Sequence, residues 1–137
     1  MRVKSALAAV LLACVPRADT APAPLTAPTA YEGRLPCDDC STIFTRLVLN
    51  PDGTYLMEEE FRHTWDGHRR YEHRGRWVRQ RGTAKDPQAT VYRLESDDPE
   101  VARSFVVLQG GLRLQAMDHS GEPVEAVPPA TLLRADP

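Results

Sequence analysis

From Thr42 onward the chain alternates short apolar runs with turn residues. "TIFTRLVL" (Thr42 to Leu49) is rich in β-branched and large apolar side chains. "NPDG" (Asn50 to Gly53) follows, with Pro and Gly where a tight hairpin needs them. "TYLMEEEF" (Thr54 to Phe61) resumes strand character, so the three segments predict a hairpin. "GRWVRQ" (Gly75 to Gln80) predicts another strand with Trp77 as a core anchor, and "TVYRLES" (Thr90 to Ser96) alternates cleanly. "SFVVLQGGLRLQAM" (Ser104 to Met117) reads as two strands across a Gly-Gly turn. "DHSGEPV" (Asp118 to Val124) supplies a further turn and "ATLLRA" (Ala130 to Ala135) a closing strand. Helical periodicity is absent, apart from room for one turn in "DDPEVARSF" (Asp97 to Phe105). Roughly seven or eight short strands predict an all-β antiparallel meander that closes into a small barrel or folds over as a sandwich, removing its edges. Tyr55, Trp77, Tyr92 and Phe105 are expected inside, with Met57 and Met117 as core fillers.

The first 30 residues break this pattern. Arg2 and Lys4 precede an uncharged stretch, Ser5 to Ala13, that ends at Cys14. A charged start followed by an apolar run is the layout of a secretory signal peptide, and the run falls far short of the roughly 20 residues of a spanning helix. "LLAC" (Leu11 to Cys14) resembles the lipobox of bacterial lipoproteins, in which the cysteine is diacylated and becomes the mature N-terminus. Residues 1–13 are thus expected to be a lipoprotein signal peptide and Cys14 the lipidation site. The alternative is an ordinary signal peptide cut near "ADTA" (Ala18 to Ala21), with Cys14 discarded. Val15 follows the cysteine in place of an inner-membrane retention Asp, so the lipobox resemblance favours outer-membrane sorting. The Ala-, Pro- and Thr-rich stretch to Ala30 has no face to bury and is expected to be a disordered tether, making residues 14–30 anchor and linker and 31–137 the domain.

Export changes the reading of "CDDC". With Cys14 given to lipid, Cys37 and Cys40 remain, an even count in a compartment where disulfides persist. A bridge across so short a loop stabilises by less than about 3 kcal/mol, but it fixes local geometry and responds to redox state. A two-thiolate site for Cu(I) is the functional alternative, because soft thiolates select that ion. Catalytic thiol chemistry ranks last. Asp38 and Asp39 disfavour thiolate, and the pair precedes a strand, not the helix N-terminus that activates thioredoxin-type pairs.

Composition narrows the rest. The chain has 137 residues and a formal charge of −2, which suits one domain and offers no electrostatic footprint for nucleic acid. Arg62 to Arg74, "RHTWDGHRRYEHR", reads as a basic, histidine-bearing loop. If Gly67 turns the chain, His63 and His73 are brought opposite each other, a possible metal pair, although surface histidines are usually solvated. Arg62, Arg69, Arg70, Arg74 and Arg76 form either a solvated face or a contact for anionic headgroups near the anchor. No catalytic triad, carboxylate pair or phosphate loop stands out, so an enzyme is not expected.

"YEGRLPCDDCSTIFTRLVLNPDGTYLMEEEF" resembles the N-terminal domain of the NlpE family of copper-resistance and envelope-stress lipoproteins. The resemblance rests on Tyr31 and Gly33, then Leu35, Pro36, Cys37 and Cys40, then Asp52, Gly53, Thr54 and Tyr55. "RGRWV", "GLRLQAMDHSGEPV" and the final "TLLR" extend it to residue 134. It implies a lipocalin-like β-barrel, lipid-anchored to the outer membrane and facing periplasm or surface. It further implies stress or surface sensing through a sensor-protein partner, with copper tolerance linked and copper a possible ligand at Cys37 and Cys40. Larger family members carry a second, oligonucleotide-binding-like barrel, for which this chain, ending at Pro137, leaves no room. Two alternatives stay open beside the sensor: a periplasmic Cu(I)-binding protein and a lipocalin-like carrier of a small apolar ligand.

Overall fold

The computed structural model describes residues 22–97 and 102–135. Eight antiparallel strands follow in chain order: β1 (Thr29–Leu35), β2 (Thr42–Leu49), β3 (Thr54–Thr64), β4 (Gly67–Arg81), β5 (Thr90–Leu94), β6 (Arg103–Leu108), β7 (Arg113–Ala116) and β8 (Thr131–Ala135). Each pairs with its sequence neighbour, and β8 pairs with β1, so the meander is a closed barrel and no sandwich. The barrel and its core lie wholly within the described residues. The lipobox, Cys14 and most of the single turn expected after Asp97 lie outside them. Among the described residues no helix is long and apolar enough to cross a membrane.

The period-two pattern is what closes the barrel. Ile43, Thr45, Leu47 and Leu49 of β2 point inward between half-buried neighbours, and Tyr55, Met57 and Glu59 of β3 do the same. The β2–β3 turn forms as its residues require. Gly53 adopts φ +88°, the left-handed region that favours glycine, and the Asp52 carboxylate accepts the Thr54 amide at 2.9 Å. Those bonds hold the Asp52 carboxyl below the usual carboxylate range, the Thr54 hydroxyl foremost. Between β6 and β7 the expected Gly-Gly turn is present, with Gly110 at φ +66° and Gly111 at φ +101°.

Closure depends on one small residue. A Cβ on Gly33 would stand 2.3 Å from the Thr131 carbonyl oxygen, so only glycine lets β8 approach β1 here. Beside this seam the buried Tyr31 hydroxyl donates to the Gly111 carbonyl at 2.7 Å. Tyr31, Tyr92, Phe105, Leu47, Met57 and Leu114 are among the largest fully buried side chains.

Several expectations are corrected. Arg62 to Arg74 is no loop: it is the far half of a long β3–β4 hairpin turning at Trp65 and Asp66. The segment alternates, but the residues that share a face with Met57, Glu59 and Phe61 are His73, Tyr71 and Arg69 instead of aliphatics, and Tyr71 is exposed, while Glu60 pairs with Arg70 at 3.2 Å on the outer face. Trp77 packs against the core edge-on to Tyr92 yet is only half-buried, and Met117 is half-buried at the rim. β5 meets β4 only from Trp77 to Arg81, so among the described residues no strand covers the outer edge of β4 above Trp77. The hairpin arm therefore projects past one end of the barrel.

Candidate site at the barrel mouth

β1 climbs from Thr29 to Leu35, so the loop after it, with both cysteines, sits at the end opposite the described N-terminal segment. That segment, Pro22 to Pro28, runs along the base, where Leu25 packs against the core and Arg79 donates to the Pro22 carbonyl. At the mouth Cys37 and Cys40 are joined by a disulfide, S–S 2.01 Å with Cα atoms 5.3 Å apart. Both are half-buried and pack against the core. The Thr42 hydroxyl donates to the Leu35 carbonyl at 3.4 Å, closing the loop beneath the bridge. Ser41 ties the same loop to the hairpin arm: its amide donates to the Arg62 carbonyl at 3.0 Å, and its hydroxyl lies 2.7 Å from His63 Nδ1.

Donor atoms of Cys37, Asp39 and Cys40 lie within 4.8 Å of one another. In the disulfide form the sulfurs are bonded to each other and offer no thiolate. Reduced, they would give two soft donors beside a carboxylate, a set that suits Cu(I). The residues therefore fit copper only after reduction.

The histidines do not converge. The chain turns at Trp65 and Asp66, ahead of Gly67, so the β3–β4 register places His73 opposite Met57 instead of His63. His63 instead meets His68 near the tip, ring centroids 5.5 Å apart. The arginines are largely engaged: Arg62 with Glu60 at 3.1 Å, Arg69 with Asp66, and Arg74 with Glu72 at 2.9 Å. The arm that bears Arg62, Arg69 and Arg70 stands at the mouth, away from the described N-terminal segment.

Sequence reading missed a polar row inside the barrel. Gly33, Thr45, Glu59 and Tyr71 are successive cross-strand neighbours from β1 to β4 on one face of the sheet; Thr45 and Glu59 are buried there, whereas Tyr71, on the projecting arm, is exposed. Glu59 is 4% exposed, and one of its oxygens lies 3.1 Å from His73 Nε2. The Thr45 hydroxyl is buried with no hydrogen-bond partner. The signal was present in "YLMEEEF": continuing Tyr55 and Met57 by twos puts the middle glutamate inside. Glu59 lines the mouth cavity, about 1130 Å³, which includes Cys37, Leu35, Ile43 and Phe61. It also lines an adjoining recess of about 320 Å³ with Phe61, Tyr71 and His73.

A closed eight-stranded meander with a disulfide loop at its mouth defines a small, lipocalin-like all-β module. The profile of the NlpE N-terminal domain matches residues 31–127, and the chain belongs to that family. Lipoprotein NlpE of Escherichia coli K12 is 29% identical over 99 residues, covering 72% of this chain and 37% of that protein. The chain thus spans well under half of that relative's length. The crystal structure of the Cpx pathway activator NlpE from Escherichia coli superposes with a TM-score of 0.53 at 26% identity, over 72% of this chain and 46% of that one. A candidate lipoprotein of Shewanella oneidensis shares the fold at a TM-score of 0.56 and 20% identity, over 80% of this chain and 90% of that one.

Proposed function

We propose that this protein is an outer-membrane-anchored lipoprotein of the NlpE type that takes part in envelope-stress or surface sensing, without catalysis. Cys14 is its acylation site, the stretch before Pro22 spaces the barrel from the membrane, because Pro22 to Pro28 already lie along the barrel base and β1 begins at Thr29, and a stress-sensor protein is its partner. Copper tolerance is a linked property. The observation that carries this reading is the family match over residues 31–127, with the Cys37–Cys40 bridge at the barrel end remote from the described N-terminal segment. That position leaves the redox-responsive loop free to meet a partner. The test is an envelope-stress reporter in a Gram-negative host overproducing the wild-type chain, Cys14→Ser or Cys37→Ser/Cys40→Ser. The wild type should induce the reporter and the anchor variant should change that response. A flat reporter for every version contradicts the reading.

The clustering of Cys37, Asp39 and Cys40 favours a second reading, Cu(I) capture after reduction. Reduced protein should then take up one ion and oxidised protein none. Equal uptake by the double serine variant would remove this reading.

A further inference from the structure

We propose that the barrel mouth binds a small amphiphilic cation of the alkylammonium type, with Glu59 receiving the charged head and the apolar wall receiving the tail. The inference goes beyond the sensor reading and does not depend on it.

Glu59 is 4% exposed, and a buried carboxylate is tolerated only when paired and hydrogen-bonded. Among the described residues its one ion-pair partner is His73, at 3.1 Å. An imidazole can donate through Nε2 in either protonation state, but it cancels the charge only when protonated. Next to Glu59 in the inner row, Thr45 is 2% exposed and its hydroxyl has no partner. Thr45 lines neither the mouth cavity nor the recess, so the acceptor presented there is the Glu59 carboxyl group, which suits a head that is positively charged and rich in N–H.

The surroundings suit the remainder of such a molecule. Phe61 lines both the mouth cavity and the recess, and its ring meets Tyr71 edge-on with centroids 5.3 Å apart. Aromatic faces beside a carboxylate favour ammonium groups. Leu35, Ile43, Leu94, Ala116 and Ala130 give the mouth cavity its apolar wall. Two arginines also line the recess: Arg69 is taken up by Asp66, and Arg103 hydrogen-bonds the Ala102 carbonyl at 3.3 Å. They make an anionic amphiphile the competing ligand class, which the experiment must separate.

The test is calorimetric titration of the soluble chain from residue 22, which contains the whole barrel, with n-hexylammonium, n-hexanol and n-hexanoate. Hexylammonium should bind saturably, about tenfold or more tighter than hexanol or hexanoate, and Glu59→Gln should lose that preference. Should Glu59→Gln not fold, Ala116→Trp fills the mouth from β7 while keeping the Glu59 side chain in the sequence, and should abolish uptake. Hexanoate binding as well as hexylammonium, undiminished hexylammonium binding to either folded variant, or no binding to the wild type overturns the proposal.

Discussion

The indole Nε1 of Trp77 donates to the carbonyl of Asn50 at 3.0 Å, fastening β4 to the turn that joins β2 and β3. The Trp77 amide adds a bond to the Gly53 carbonyl at 2.9 Å, so one residue holds both ends of that turn. The same ring packs edge-on against Tyr92, centroids 5.1 Å apart. Trp77→Phe keeps a ring but deletes the indole donor, leaving the half-buried Asn50 carbonyl with the Gly53 amide at 3.1 Å as its remaining donor. It should destabilise the barrel by about 1–2 kcal/mol in urea unfolding with an unchanged slope. No loss would show that the turn holds without it.

Gly33→Ala should do more harm than its size suggests. The added methyl meets backbone at the β1–β8 seam, which has no rotamer with which to yield. A loss of about 1–3 kcal/mol is expected, with amide exchange quickening first along β1 and β8. Unchanged exchange in those strands would contradict the account of closure.

Burial, with the neighbouring Tyr92 charge, pushes the Tyr31 phenol up to about 12, against a smaller opposing pull from Arg134. The folded value lies above the unfolded value, so the protonated phenol stabilises the fold. That stability is complete below about pH 10 and is lost as pH rises toward 12, by up to about 3 kcal/mol. Burial also raises Tyr55 and Tyr92, so they add to the same alkaline loss. Tyr31→Phe should flatten part of that fall. An alkaline profile identical to the wild type would contradict the assignment.

Removing the mouth disulfide should leave the barrel standing. The bridge closes a loop between residues only three apart in sequence, and the strands pair without it. Cys37→Ser/Cys40→Ser should cost less than about 3 kcal/mol, with native far-ultraviolet dichroism. Loss of the fold would make the bridge a structural staple instead of a redox-responsive device.

The local signals were legible in the sequence. Asn50 to Gly53 and the Gly110-Gly111 pair are turns whose backbone needs those residues, and β2 announces its inner face by strict alternation. The local pattern alone left a sandwich and a barrel open, since they differ only in whether β8 finds β1; the resemblance implied the barrel, and the β8–β1 pairing bears it out. The hairpin arm was misread because Tyr71 and His73 hide a period of two that aliphatics would have displayed. Glu59 was overlooked for the converse reason: three glutamates in a row read as solvated, although the strand period turns the middle one inward. The cysteine pair was legible as a disulfide through the logic of export, whereas its seat at the mouth required the direction of β1.

The most direct test of the central claim, a lipid-anchored barrel carrying a redox-responsive clasp, is the intact mass of the mature protein taken from membranes, with and without reductant. The account predicts a chain starting at Cys14, heavier by its acyl groups, that gains two hydrogens at Cys37 and Cys40 on reduction. An unacylated chain cut after Ala21, with no change on reduction, would contradict it.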